Sequence, residues 1–188
     1  VTGVQTCALP ISRPPAPTAP HEIVPAAVPP DALHRSILIA GLGGQGVVTA
    51  SAILARAAFA AGHVVTQAEV HGMSQRGGSV ISEVRFGPTA RSPMIPPAEA
   101  DALLAVADDQ IAVHRHRLRD GGVVLGPADL PTEVAAGRSA NVGLLALLAR
   151  RLPLAAGAWH QALRVVLPER LHAANLALFD RLLTETRP

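Results

Sequence analysis

Gly41, Gly43 and Gly46 stand in the order G-x-G-x-x-G within Gly41-Leu42-Gly43-Gly44-Gln45-Gly46-Val47-Val48-Thr49. The apolar run Ser36-Ile37-Leu38-Ile39-Ala40 precedes them and an Ala-rich stretch follows. That order reads as a strand, a glycine turn and a helix start. The first turn of such a helix offers free N–H groups and a positive dipole end, which suit a phosphate or carboxylate. Two readings stay open: an anion-binding loop, or a turn that only packs strand on helix.

A chain of 188 residues, 49% of them hydrophobic and 16% charged, can build one globular domain with a sizeable core. Residues 1–11 resemble the translation of a sequencing-adapter oligonucleotide, so they are set aside and the natural start of the protein is taken as unknown. Residues 12–35 are rich in proline and read as an extended segment or linker, leaving 36–186 as the folded domain. Cys7, the single cysteine, lies in the set-aside segment, so the domain is expected to hold no disulfide and no cysteine-ligated cluster. All sixteen strong bases are arginine, which excludes a lysine Schiff base and a Walker-type lysine. Those arginines are scattered, and aromatic residues make up only 2% of the chain, so neither a basic stripe nor a stacking platform points to nucleic acid. No apolar run approaches the roughly 20 residues of a membrane span. A soluble, cytoplasmic protein with no nucleic-acid or membrane partner is expected.

Alternating elements follow the glycine loop. The pattern predicts a buried parallel strand at Ile37-Leu38-Ile39, a helix from Gln45 to Ala61 stopped by Gly62, and a strand from His63 to Glu69. A strand from Val80 to Gly87 comes next, after so short a connection that the sheet is expected to be mixed. Three prolines in Ser92-Pro93-Met94-Ile95-Pro96-Pro97 predict an irregular loop. Strands at 102–106 and 123–125 enclose a short helix from Asp109 to Leu118. The C-terminal third reads as helical, with Trp159 in the core on a stripe with Ala162, Leu163, Val166 and Leu167. A second stripe, Leu171, Asn175, Leu178 and Leu182, follows Pro168. The fold class is α/β, a three-layer α/β/α with a Rossmann-like mixed sheet.

Glu69 ends the second strand about twenty residues after Gly46, near where a dinucleotide domain keeps its ribose carboxylate. It either serves such a ligand or pairs with a neighbour such as Arg76. The loop His71-Gly72-Met73-Ser74-Gln75-Arg76-Gly77-Gly78-Ser79 groups an imidazole, a hydroxyl, an amide and a guanidinium, which either grip an anion or a partner or cap one another. His114 and His116 are two apart, not four, and read as surface histidines rather than a metal pair.

Four ordered stretches carry a resemblance: Gly41 to Ser51 (GLGGQGVVTAS), Glu69 to Ser79 (EVHGMSQRGGS), Val84 to Gly87 (VRFG) and Ser92 to Pro96 (SPMIP). Together they resemble the gamma-type subunit of 2-oxoacid:ferredoxin oxidoreductases, nearest the members that act on indolepyruvate, over about Ser36 to Leu183. The resemblance implies a subunit of a thiamine-diphosphate enzyme that decarboxylates a 2-oxoacid such as an aryl pyruvate, makes an acyl-CoA and reduces ferredoxin. It further implies that thiamine diphosphate, Mg and the iron–sulfur clusters sit in a large partner subunit, that CoA is a co-substrate, and that this chain binds no cofactor and is inactive alone. Gly41, Gly43, Gly44, Gln45, Gly46 and Thr49 would form the glycine loop. His71, Ser74, Gln75, Arg76, Gly77 and Gly78 would form the second loop, with Glu69 beside it, as ligand or subunit-interface residues; no catalytic residue is assigned. The sequence departs from the family at Val106-Ala107-Asp108, where a glutamate is common soon after the strand. The competing readings are a stand-alone NAD-dependent dehydrogenase on the same fingerprint and a nucleotide-binding assembly module.

Overall fold

A computed structural model of the chain describes residues 34–72 and 77–185. The elements in order are β1 (Arg35–Leu42), α1 (Val47–Ala60), β2 (Val64–His71), β3 (Ser79–Gly87), β4 (Ala100–Ala105), α2 (Asp109–His114), β5 (Leu118–Leu125), α3 (Thr132–Ala135), α4 (Ala140–Ala149), α5 (Ala156–Val166) and α6 (His172–Thr184). The segment 1–11 and nearly all of 12–35 lie outside the described residues.

The five strands form one sheet in the order β2-β3-β1-β4-β5. β1 runs parallel to β4, and β4 parallel to β5. β3 runs antiparallel to both β1 and β2. The mixed sheet follows from connection lengths: the stretch from His71 to Ser79 is too short for a parallel crossover, whereas α1 and α2 are long enough to carry the chain across the sheet.

Strand alternation sends Ile37, Ile39, Val84 and Phe86 to one face, where they join Ile53, Leu54, Leu145, Trp159 and Phe179 in the main core. Leu38, Ala40 and Leu103 point the other way and pack with Ile95 from the proline-rich loop. That second layer is thin. α2 borders it, and Ser79 Oγ of β3 donates to Gln110 Oε1 at 2.9 Å. The proline loop is held by charge: Glu83 accepts from Arg117 Nη1 at 2.8 Å and from the Ile95 N–H at 2.5 Å, while Arg117 Nη2 donates to the Ile95 carbonyl at 3.0 Å.

α1 ends where Gly62 takes φ 89°, with Gly62 N–H donating to Phe59 O at 2.9 Å and His63 N–H to Ala58 O at 3.1 Å. A left-handed residue just past the helix, which glycine adopts without strain, closes these last carbonyls. α4 is buried at all ten positions, so it fills the centre of the helical layer rather than lining it. An all-apolar helix has no polar face for periodicity to reveal.

The largest shifts from the expected boundaries fall between β4 and β5. The helix expected from Asp109 to Leu118 stops at His114 and continues as a single 3-10 turn, because β5 already begins at Leu118. Gly121 and Gly122 lie inside that strand, where the pairing register to β4 slips between Ala100 and Ala102. His114 corrects the surface reading: it is 7% exposed and packs inward, while His116 is exposed. Burial, followed by the charges of Arg117 and His116, holds the His114 pKa below its usual value.

Candidate functional site

β1 leads the chain to Gly41, where an added Cβ would stand 2.7 Å from Val47 Cγ2 and 3.2 Å from Val106 Cβ. Only a bare backbone lets strand, helix and β4 meet there. Gln45 N–H then donates to Leu42 O at 3.1 Å, and Gln45 Oε1 accepts from Leu42 N–H at 2.7 Å, so this side chain braces its own turn. Gly46 precedes α1 with φ 79°, and no side chain caps the helix. The N–H groups of its first turn have no partner four residues back.

The second loop is tied to the first. Gly43 N–H donates to Gly78 O at 2.9 Å, and Gly72 N–H donates to Ser79 O at 2.8 Å to close the β2–β3 hairpin. His71, at the end of β2, lines a cleft of 380 Å³ with Gly43, Gly44, Gly46 and Thr49. Glu69 stands behind it, with Oε2 3.6 Å from His71 Nε2 and Oε1 accepting from Gln67 Nε2 at 2.9 Å. Gln67 Nε2 also donates to Ser51 Oγ of α1 at 2.9 Å. Gly77 and Gly78 are thus brought to the glycine loop, whereas Ser74, Gln75 and Arg76 lie outside the described residues.

Sheet order bears on the dinucleotide reading of Glu69. In that fold the strand carrying the ribose carboxylate lies directly beside the glycine strand. Here β3 runs between β1 and β2, so Glu69 faces Ser82 of β3 and stands one strand farther out.

Sequence reasoning missed the other wall of the site. Arg138 and Asn141 come from the start of the α4 segment, and Arg170 and Asn175 from the turn into α6, and all four line a cleft of 340 Å³ against Gly44, Gln45, Gly46 and Thr49. Arg138 also borders a neighbouring cleft of 560 Å³ that shares Gly44 and Gln45. Asn141 Nδ2 donates to Gly46 O at 3.1 Å. Nothing in local spacing links residues so distant in the chain; only a polar residue inside the apolar run of α4 hinted at Asn141. The arrangement can hold an anion, with backbone N–H donors on one side and guanidinium groups on the other.

The family model of pyruvate ferredoxin/flavodoxin oxidoreductases matches residues 36–132. The chain belongs to this family. The match contains both glycine-bearing loops and the five-stranded sheet, whereas the wall from α4 and α6 lies beyond it. Among curated relatives, indolepyruvate oxidoreductase subunit IorB of Thermococcus kodakarensis is 45% identical over 89 residues, which are 47% of this chain and 44% of that protein. The chain therefore spans less than half the length of that relative. A solved keto/oxoacid ferredoxin oxidoreductase gamma subunit from Geobacter sulfurreducens superposes with a TM-score of 0.66 at 25% identity, covering 81% of this chain and 95% of that one. The 2-oxoglutarate:ferredoxin oxidoreductase from Magnetococcus marinus shares the fold, with a TM-score of 0.65 at 19% identity over 79% of this chain and 30% of that one.

For this member of the pyruvate ferredoxin/flavodoxin oxidoreductase family, the described residues contain no group of three or more His, Cys, Asp and Glu that could hold a metal ion. No helix among them is long and apolar enough to cross a membrane.

Proposed function

We propose that this chain is the gamma-type subunit of a thiamine-diphosphate-dependent 2-oxoacid:ferredoxin oxidoreductase that converts an aryl pyruvate such as indolepyruvate to its acyl-CoA in the cytoplasm. The observation that carries the reading is the family match across 36–132, which holds the glycine loop and second loop that the Gly43–Gly78 hydrogen bond joins. The 45% identity to an indolepyruvate oxidoreductase subunit supports the aryl substrate.

In this proposal a larger partner subunit supplies thiamine diphosphate, Mg and the iron–sulfur clusters, and ferredoxin takes the electrons. Thiamine diphosphate, held by the partner, would supply the carbanion chemistry. This chain's part is to bind and orient: the uncapped start of α1 offers N–H donors, and Arg138 offers a guanidinium, to an anionic group of CoA or the 2-oxoacid. Gly41, Gly43, Gly44, Gln45, Gly46, Thr49, Glu69, His71, Gly77 and Gly78 are the proposed ligand or interface residues.

The test is co-expression of the full chain with the large subunit from the same source, followed by pull-down and an indolepyruvate- and CoA-dependent assay of low-potential dye reduction. A complex whose activity requires this chain supports the proposal. A monomer that ignores the large subunit and binds NAD tightly overturns it.

A further inference from the structure

β2 forms one edge of the sheet. Gly72 N–H donates to Ser79 O, so the alternation of an antiparallel pair turns the main-chain groups of Val64, Thr66, Ala68 and Val70 toward β3. Those of Val65, Gln67, Glu69 and His71 point away from the sheet, and no strand among the described residues pairs with them. The opposite edge is guarded: β5 carries exposed Arg119 and Asp120, takes φ 74° at Gly121 and slips in register against β4, all of which discourage a further strand. β2 has none of these devices. Its eight residues keep continuous register with β3, with no proline, no Lys or Arg, and Glu69 as the single carboxylate.

The side chains of β2 match a second copy of themselves. Val65 packs against the main core and Gln67 Nε2 reaches Ser51 of α1, so Val64, Thr66, Ala68 and Val70 lie on the other face. There Val64 and Val70 are 46% and 49% exposed, and they stand at equal distance on either side of Gln67. An antiparallel copy centred on Gln67 therefore sets each Val64 against Val70 of the other strand. Gln67 then meets Gln67, and Val65 meets Glu69, at hydrogen-bonded positions, because their main-chain groups are the outward ones. The valine pairs fall at non-hydrogen-bonded positions, where Cα atoms are about 4.5 Å apart and side chains approach closest. Charge agrees with this register: strand rise and spacing keep the two Glu69 residues about 14 Å apart, beyond a Debye length of roughly 10 Å. On the α1 face, Val48, Ala52, Ala55 and Phe59 recur at helical spacing next to Ser51 and extend the apolar border of the same edge, with Val48 40% and Phe59 43% exposed. The chain's own preceding segment fits less well, since no run longer than four residues in 12–33 is free of proline, which cannot donate to a ladder. We infer that β2 pairs antiparallel with β2 of a second copy of this chain, in register about Gln67, joining two five-stranded sheets into one. This pairing needs no large subunit, so a failed assembly with one would leave it unchanged.

The test is sedimentation equilibrium of the full chain across micromolar concentrations, where the mass should rise toward twice the 19.4 kDa of one chain. Val64→Lys/Val70→Lys sets like charges opposite each other and should raise the dissociation constant about tenfold or more. Both valines are exposed, so the monomer keeps its fold, which circular dichroism and melting temperature verify. Val113→Lys, at a position 55% exposed on α2, should leave the dimer unchanged. Mixing the Lys variant with Val64→Glu/Val70→Glu should restore a dimer, because each Lys then faces a Glu across the axis. A monomer at every concentration, an unweakened dimer in the folded Lys variant, or no dimer on mixing overturns the inference. A monomeric chain whose Lys variant no longer binds the large subunit overturns it too, and assigns the edge to that subunit.

Discussion

Asn141 Nδ2 donates to the carbonyl oxygen of Gly46 at 3.1 Å, joining α4 to the turn before α1 across 95 residues of sequence. Asn141 Oδ1 accepts from Val142 N–H at 2.9 Å, so one buried amide satisfies two backbone groups. Gly46 leaves room for this contact: a Cβ there would lie 2.5 Å from Asn141 Nδ2, at a φ of +79°.

Gly46→Ala should therefore destabilise the protein by about 1–3 kcal/mol, from left-handed strain and from displacing Asn141. Asn141→Ala should cost about 1–3 kcal/mol by leaving the buried Val142 N–H unmatched, while Gly46 O still accepts from Ala50 N–H. Urea unfolding of both singles and the double variant checks this. Strictly additive effects would show that the two residues do not act through their contact.

Glu83 and Arg117 form a pair whose carboxylate is almost fully enclosed, with side-chain exposures of 3% and 19%. Arg117→Met strands that carboxylate and should cost about 3–5 kcal/mol. Adding Glu83→Gln should restore more than half of the loss, because the amide oxygen still accepts from Ile95 N–H without a buried charge. Chemical denaturation compares the three proteins; a double variant no more stable than Arg117→Met speaks against a stranded charge.

His63 is 4% exposed, neither ring nitrogen has a partner among the described residues, and burial holds its pKa below the usual 6.5. His114 is lowered in the same direction. The unfolded chain thus takes up these protons first as pH falls, so ν_U exceeds ν_N and stability drops below about pH 6.5. Above pH 7.5 both states are neutral and the contribution vanishes. Melting temperatures from pH 8 to 5 should fall more steeply for the native protein than for His63→Leu/His114→Leu. Parallel curves would remove these histidines from the explanation.

Trp159, the single tryptophan, is 1% exposed, and its ring centroid lies 5.6 Å from that of Phe179, tying α5 to α6. Its Nε1 has no partner among the described residues. Trp159→Phe loses contact area but no hydrogen bond, so it should cost less than the roughly 3–5 kcal/mol of Trp159→Ala. Tryptophan emission, blue-shifted in the folded protein, supplies the unfolding signal for the native chain; circular dichroism serves the variants. Equal losses would mean that packing around the ring is not what matters.

Much of the fold is legible locally. The strand–glycine–helix order at Ile37 to Ala60 and the Gly62 stop follow from apolar runs and glycine chemistry, which act over a few residues. The short His71–Ser79 connection pointed to a mixed sheet for the same reason. α4 falls in the C-terminal third expected to be helical, but its central place in the helical layer was not legible, because burial on every side erases the periodicity that marks a buried face. His114 is buried where α2 packs against β1 and β4, a contact that the spacing of two histidines does not record.

The site divides in the same way. The chain's order of residues determined a glycine turn able to start a helix without a cap, and the two loops that match the family. Tertiary structure decided that Gly43 meets Gly78, that Asn141 braces Gly46, and that Arg138, Arg170 and Asn175 close a cleft beside them. Turn geometry and capping are set by neighbours a few residues apart. A cleft needs groups from distant segments, and their meeting is set by how the apolar faces of α1, α4, α5 and α6 bury one another, which no local spacing records.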